Sequence, residues 1–541
     1  MAGRLKSSIV SAFKMHGLSL RIEASKFLVE ALTPVNEVER EEWLDRIIEA
    51  VQKQPLESSM IDRLTLEAAV NDCVQGGEED SDQVFSVIDA FDIPKFDYNS
   101  ERKKFMPSTA PRSLHGQATD KAQLFRDRYT VLFQRTSRHE LFTPPVMGAN
   151  PVHQTKKFQL RPVEYLLGSV AKLGEIIVLG MVTQLKPGSY YLEDPTGAVK
   201  MDLSQTISFS LTRRAISLTA LYNFHNGLFT ENCFVLAEGW YEDQVFHVTA
   251  FGFPPPEPAK TTRAYFGNIN FFGGPSATCA KASTKLRVIE RENEDAMIVF
   301  LSDVWLDDSK VMEKLRVLFT GYSEICPTAF VLCGNFTSSP FGSSHIKTLR
   351  ESFRGLGNLI AQFPSLVESS RFIFVPGSQD PGPGNVLPRP NIPDCVTEEL
   401  RRKVPTATFT TNPCRIQYCT QEIVVFREDM VTKMCRNCVK FPSDRDISTH
   451  FVKTLASQGH LCPLPLHVEP VYWSHDHALR VYPLPDVVVV ADKFDAYSNT
   501  HVDCTFANPV YLFCRFRVLL HVMMQSSRCT IQQPGKWKTG I

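Results

Sequence analysis

The sequence lacks any surplus of charge of one sign. Its 541 residues carry 58 Lys and Arg against 59 Asp and Glu. No overall basic field therefore draws the chain to nucleic acid, and any such role is local or indirect. Long uninterrupted apolar runs are also missing. The stretch 510–524 is strongly apolar, but it is short for a membrane span and is broken by Arg515, Arg517 and His521, so no membrane partner is expected. The opening MAGRLKSSIVSAFKMHGLSL has neither the apolar core nor the cleavage signature of a secretory leader. The 14 Cys lack the dense even spacing of a disulfide scaffold. Cys233 and Cys333 lie in apolar segments where buried thiols are ordinary, which favours a reducing, intracellular compartment. Neither G-x-x-x-x-G-K-[ST] nor G-x-S-x-G occurs, which excludes a phosphate loop and a nucleophile elbow of those kinds.

What is present is a globular composition, 43% hydrophobic and 22% charged, in a chain long enough for roughly three to four domains. In residues 1–75 apolar positions recur at helical spacing (Ile9, Phe13; Leu28, Leu32; Leu44, Ile47, Ile48, Val51), and Pro34 and Pro55 mark breaks. This predicts a bundle of about four helices, closed by the polar connector GGEEDSDQ. Residues 76–157 mix short apolar pieces with basic and Pro-containing stretches and read as a linker holding one helix, 120–136. From Gly174 the period becomes two. EIIVLGMVTQLKPGSYYLEDPTGAVKMDLS and CFVLAEGWYEDQVFHVTAFGFPPPEP supply five short strands with Pro-Gly and Asp-Pro-Thr-Gly turns, the pattern of an OB-fold over 158–275. Tyr190 and Tyr191 could stack bases of a single strand, but few Lys or Arg accompany them.

Over 285–509, four apolar runs (AMIVFLSD, TAFVLCGN, RFIFVPGS, DVVVVAD) alternate with helical segments, as in a layered α/β fold with strands buried on both faces. Functional groups in such folds sit at strand ends. A dimetal phosphoesterase resembling calcineurin places there, in order, D-x-H, G-D-x-x-D, G-N-H-D/E, a lone His and G-H-x-H. Two adjacent dications need a bridging carboxylate and imidazoles to complete their shells. Here the series reads Asp303-Val304-Trp305, Gly334-Asn335, Gly377-Ser378-Gln379-Asp380, His460 as the candidate for the fourth position, and Ala491-Asp492-Lys493-Phe494. Trp305, Asn335, Ser378, Gln379 and Phe494 cannot serve as those ligands or as the catalytic imidazole. Asp303, Asp492 and His460 alone cannot hold two dications. The expectation is the shell of a phosphoesterase with no catalytic, cofactor or metal residues. His475 and His477 in SHDHALR are more simply two side chains on one face of a strand than a metal pair. Cys414, Cys419, Cys435 and Cys438 have spacing that could pass for a zinc ribbon. However, EDMVTKMCRNCVKF reads as a helix carrying the latter two, so four structural thiols are the simpler reading.

Helical module, OB-fold and inactivated phosphoesterase, in that order, resemble the B-subunits of eukaryotic replicative DNA polymerases. The segments ALTPVNEVE, NSERKKF, RHELFTPPV, EGWYEDQVFHVTAFGFPP, TTRAYFGNINFFGG, TNPCRIQYCTQEIVVFRED, KMCRNCVKFP and LRVYPLPDVVVVADKFD carry the resemblance, which runs to about Pro509. It implies a multidomain α+β chain: a helical N-terminal domain like the lid of AAA+ ATPases, an OB barrel, and an α/β/β/α phosphoesterase-like domain lacking its metal site. It also implies a nuclear, non-catalytic accessory subunit. The OB and phosphoesterase-like domains would clasp the zinc-bearing C-terminal domain of the catalytic subunit, and the N-terminal helices would dock on the GINS component of the replicative helicase. Small histone-fold subunits would be reached indirectly, and DNA indirectly or weakly. The rival expectations are a phosphodiesterase with atypical metal ligands and an OB-fold reader of single-stranded DNA. Two segments depart from the family pattern: 206–223 interrupts the OB strands, and 510–541 stands where a core strand and short tail would close the chain. Both are expected to lie outside the cores, with the tail failing to supply a closing strand.

Overall fold

Apolar residues three and four apart on a helix share one face and must be buried against something. In the computed structural model that burial gives a first compact unit, residues 1–83, separate from a second, 84–541. The structure describes residues 2–16, 18–33, 40–53, 60–67, 69–70, 84–143, 158–204, 227–276, 278–293, 295–339, 344–442, 446–509, 520–525 and 528–532. In the first unit α1 (Ala2–Met15), α2 (Ile22–Leu32) and α3 (Arg40–Lys53) close on Ile9, Phe13, Leu28, Leu44, Ile48 and Val51. Of the fourth helix of the expected bundle, 63–67 and 69–70 are helical among the described residues. A parallel pair, β1 (Ser19–Leu20) with β2 (Met60–Ile61), ties the two ends of the module. Two-residue strands carry too little period to be read from sequence.

The stretch expected as a linker with one helix does more than connect. Strand β3 (Phe85–Asp89) pairs antiparallel with Cys414–Tyr418, more than 320 positions away in the chain, and β4 (Phe96–Asn99) forms a hairpin with β5 (Lys104–Pro107). The helix predicted at 120–136 is α4 (Ala118–Arg138). A short helix, α5 (Val163–Leu167), then leads into the barrel. Strands β6 (Leu173–Lys186), β7 (Ser189–Asp194), β8 (Gly197–Asp202), β10 (Phe234–Glu242) and β11 (Val245–Gly252) close in the order β10-β11-β8-β7-β6; β9 (Phe229–Thr230) precedes β10. Alternate residues (Ile176, Val178; Val235, Ala237; Phe246, Val248) fill its interior. Tyr190 is half-buried and packs partly against this interior. Residues 206–223 lie outside the described residues.

After α6 (Ala259–Phe266) and α7 (Thr284–Glu292) the chain builds two facing sheets. The first contains β12 (Met297–Leu301), β13 (Ala329–Cys333), β14 (Arg371–Val375) and β15 (Ala407–Phe409), mutually parallel. The second contains β3, β16 (Cys414–Tyr418), β17 (Gln421–Phe426), β19 (Val487–Val490), β20 (Tyr497–His501) and β21 (Cys504–Asn508). The pleat divides each strand between two cores. Ile298, Phe300, Val331 and Ile373 meet Ile416, Val425 and Val489 between the sheets. Val299, Leu301, Phe330 and Phe374 face helices α8 (Ser309–Tyr322), α9 (His345–Ile360), α10 (Pro364–Ser369) and α11 (Asp394–Lys403). On the far side, Val424, Phe426, Val488 and Val490 face α12 (Met430–Arg436) and α13 (Ile447–Gln458). The result is the expected α/β/β/α sandwich. The C-terminal segment corrects the expectation for it: β22 (Leu520–Gln525) lies antiparallel to β12 and pairs in turn with β23 (Arg528–Gln532). Pairing of this kind satisfies the edge of the first sheet through backbone groups, which residue pattern alone does not reveal.

Barrel and sandwich are joined by polar contacts as well as apolar ones. Gln458 on α13 accepts from the Phe234 N–H and donates to its carbonyl, both at 2.8 Å. Thr230 donates to Pro463 O at 2.6 Å, and β9 pairs with β18 (Cys438–Lys440). Helix α4 is bound into the same body through Arg128, which makes a two-pronged pair with Asp476, and through Gln134, which donates to the Tyr482 hydroxyl.

Candidate functional site

The sandwich brings together strand ends from both sheets, and the residues singled out in the sequence lie at those ends with one exception. Asp303 follows β12, is 1% exposed and adopts φ 49°, a left-handed conformation that Asp tolerates better than most residues. Its Oδ1 accepts from the Asn335 N–H at 3.3 Å. Asn335 follows β13 and is locked to the loop after β14: Gln379 N–H donates to Asn335 Oδ1 at 3.0 Å, and Asn335 Nδ2 donates to Gln379 Oε1 at 3.3 Å. Asp380 closes the same loop by accepting from Phe336 N and Gly377 N, both at 2.8 Å. The two loops approach so closely that a Cβ on Gly334 would overlap Asp380 Oδ2 and Gly377 N, while one on Gly377 would overlap Asn335 Oδ1. Glycine is required at both positions. Burial raises the Asp380 carboxyl to about 6 despite those two N–H bonds. Ser378 is half-buried in the turn and Gln379 is exposed.

Asp492, after β19, is fully buried and accepts from Val431 N at 2.8 Å and Phe494 N at 2.9 Å. Burial likewise pushes it up to about 6. The ring of Phe494 packs against the outer core of the second sheet, and the indole of Trp305 against the helices over the first. These are apolar roles, and neither ring carries a nitrogen able to ligate a metal as imidazole does.

His460 is the exception and requires correction. It sits after α13 rather than at a strand end; its Nε2 lies 3.2 Å from Asp476 Oδ1, and its Nδ1 accepts from Cys462 N. Burial, with the nearby Arg128 cation, lowers its pKa. The fourth strand end belongs to β17, and the residue there is Arg427. Its side chain is 0% exposed. Nη2 donates to Asp303 Oδ1 at 2.9 Å, Nη1 to Asp429 Oδ1 at 2.9 Å and Ala491 O at 3.0 Å, and Nε to Gly334 O at 2.6 Å. Burial alone would depress this guanidinium, but Asp303 and Asp429 outweigh it and raise its pKa above the ordinary value. Asp429 moves the opposite way: burial opposes the shift, and Arg427 with Lys493 lowers its pKa overall. Sequence reading passed over Arg427, although the signal was present as a charge directly after the apolar run QEIVVF, the same placement that marks Asp303 and Asp492.

These residues do not fit a dimetal centre. A guanidinium occupies the point where strand ends of the two sheets converge, and Trp305, Asn335, Gln379 and Phe494 at those ends carry neither an imidazole nor a carboxylate. Among the described residues, no group of three or more His, Cys, Asp or Glu is placed to hold a metal ion. The other candidates also separate. Cys414 and Cys419 lie between the two sheets, whereas Cys435 on α12 and Cys438, which opens β18 and so leaves the expected helix, flank a different core. His475 and His477 lie on a 3-10 turn, Trp473–Leu479, rather than a strand, with ring centroids 6.1 Å apart. The His477 Nε2 lies 3.1 Å from Ile93 O.

Comparison with known proteins agrees with this architecture segment by segment. Residues 1–73 match the family described as DNA polymerases epsilon N terminal, residues 118–255 the DNA polymerase epsilon subunit 2-like OB-fold domain, and residues 298–499 the family of DNA polymerase alpha/epsilon B-subunits. DNA polymerase epsilon subunit 2 of Bos taurus and that of Homo sapiens are each 58% identical over 512 residues, covering 94% of this chain and 94% of theirs. The Drosophila melanogaster protein of the same name is 43% identical over 93% of both. Among solved structures, an archaeal phosphodiesterase aligns with 44% of this chain and 98% of its own at 11% identity and a TM-score of 0.25, too weak to bear on the fold. With identity of this order spread over helical module, barrel and sandwich alike, the chain belongs to the DNA polymerase epsilon subunit 2 family.

Proposed function

We propose that this chain is a non-catalytic accessory subunit of the DNA polymerase epsilon complex, acting in the nucleus during DNA replication. Barrel and sandwich together form the platform that clasps the zinc-bearing C-terminal domain of the catalytic subunit. The N-terminal helices link that assembly to GINS and the replicative helicase, the small histone-fold subunits associate indirectly, and DNA is met indirectly or weakly. The observation that carries the non-catalytic part is the set Trp305, Asn335, Gln379 and Phe494 at strand ends where a phosphoesterase needs imidazoles and a bridging carboxylate. The rigid join of barrel to sandwich through Gln458 and Thr230 supports a platform rather than two independent binders.

The deciding experiment is co-expression with the catalytic subunit of DNA polymerase epsilon, followed by co-purification and cross-linking. Cross-links from residues 158–509 to the catalytic subunit's C-terminal domain are expected, and a chain lacking residues 1–83 should still co-purify. Failure of the full chain to co-purify, or phosphodiester hydrolysis lost on Asp303→Ala, would overturn the proposal.

A further inference from the structure

Asp303, Asp429 and Asp492 leave the two sheets at neighbouring strand ends, and such a set of carboxylates normally calls for a cation. Folds of this shape that perform phosphoester chemistry meet that need with divalent ions. Here the charge has a different source. Arg427 contributes three nitrogens to four acceptors drawn from four separate segments: Asp303 after β12, Gly334 after β13, Asp429 after β17 and Ala491 after β19. Its backbone is fixed as well, since Asn412 accepts from the Arg427 N–H at 2.9 Å and donates to its carbonyl at 2.7 Å. The other oxygen of Asp303, Oδ2, is buried with no hydrogen-bond partner among the described residues.

We infer that Arg427 is the resident cation of this site: a guanidinium tethered to β17 that replaces the divalent ions of the fold and cross-links the strand ends of both sheets. The planar fork of arginine suits this position because it can address several acceptors in fixed directions. A lysine ammonium on its single flexible stem cannot reach all four. Because the cation is covalently attached, the sandwich acquires its charge balance on folding and depends on no metal supply. A dication entering the same space would meet a buried positive charge already paired with Asp303 and Asp429. This inference rests on geometry within the sandwich and stands apart from the assignment of polymerase partners.

The test uses the purified full chain and the variants Arg427→Met, Arg427→Lys, Asp303→Asn and Arg427→Met/Asp303→Asn, each followed by thermal unfolding in chelator and in excess Mn2+. The wild type should have one Tm under both conditions. Arg427→Met should lower it by roughly 5–10 °C, since removing one member of a buried pair strands the other. Arg427→Lys should recover only a minor part of that loss. The double variant should be more stable than Arg427→Met, because it no longer buries an unpaired carboxylate. If Arg427→Met yields no folded protein, the double variant decides: folded protein supports the inference and its absence overturns it. A Mn2+-dependent rise in the wild-type Tm that Asp303→Asn abolishes would overturn it, as would an Arg427→Met chain as stable as the wild type. Loss of co-purification with the catalytic subunit would touch the proposed function alone.

Discussion

Replacement of Arg128 by Met should destabilise the second unit by about 3–5 kcal/mol, and by more at pH 8 than at pH 6. Arg128 lies on α4, and its guanidinium meets Asp476 through Nε at 3.0 Å and Nη2 at 2.5 Å, with both side chains 6% exposed. It also donates to Cys462 O at 3.3 Å, a bond worth about 1 kcal/mol or less at that length. Burial by itself would push the Asp476 carboxyl up, yet Arg128 and His460 hold it well below the usual carboxylate range. A carboxylate depressed in this way contributes stability that is present above its unfolded pKa and lost as pH falls through the folded one. Without Arg128 the buried Asp476 keeps His460, 3.2 Å away, as its partner. Removal of the neighbouring guanidinium also relieves a repulsion that lowers the His460 pKa in the wild type. With that repulsion gone, and burial still opposing protonation, the imidazole resists a proton less in the variant than in the wild type, so the wild type loses more stability as pH falls and the variant's deficit shrinks on going from pH 8 to pH 6. The assay is thermal or denaturant unfolding of wild type, Arg128→Met, Asp476→Asn and the double variant at both pH values. A deficit under about 1 kcal/mol, the range of exposed pairs, or one that grows as pH falls, would refute the reasoning.

Three further outcomes are expected. Burial presses the His477 pKa down to about 3, so the native state resists a proton that the unfolded chain accepts below pH 6.5. Wild type therefore loses about 2 kcal/mol relative to His477→Gln between pH 7.5 and pH 5, and parallel stability curves for the two proteins would disprove the shift. Deletion of 206–223 should leave barrel stability unchanged within about 1 kcal/mol, because loop closure depends only on the logarithm of length; collapse of amide protection in β6 and β10 after the deletion would show the insert to be integral. Pairing of β22 with Met297–Phe300 predicts slow amide exchange within 520–525 and a less soluble chain when 510–541 is removed, and free exchange there would place these residues outside the sheet.

Much of the architecture was legible because it is written in local periods. The barrel strands alternate at period two between Gly and Pro turns, and the runs ending at Ser302, Gly334, Pro376 and Ala491 are apolar on both faces, as strands buried between a sheet and helices must be. The positions of Asp303, Asn335, Gln379 and Asp492 followed from the same reading, since a polar residue ending such a run falls at the rim of the sheet. Other features have no local signature. Strand β3 joins β16 across more than 320 residues, and β22 completes the edge beside β12, through backbone hydrogen bonds that no side-chain pattern announces. His460 was chosen as the fourth site residue for its type, whereas the fold gives it to Asp476 and Arg128. Arg427 was passed over because a buried arginine makes sense only once its four acceptors, from separate segments of both sheets, are in place around it. Periodicity and residue chemistry in the sequence determined the elements and their rims; the folded chain alone decided which charges face one another, because burial and pairing are properties of positions brought together in space.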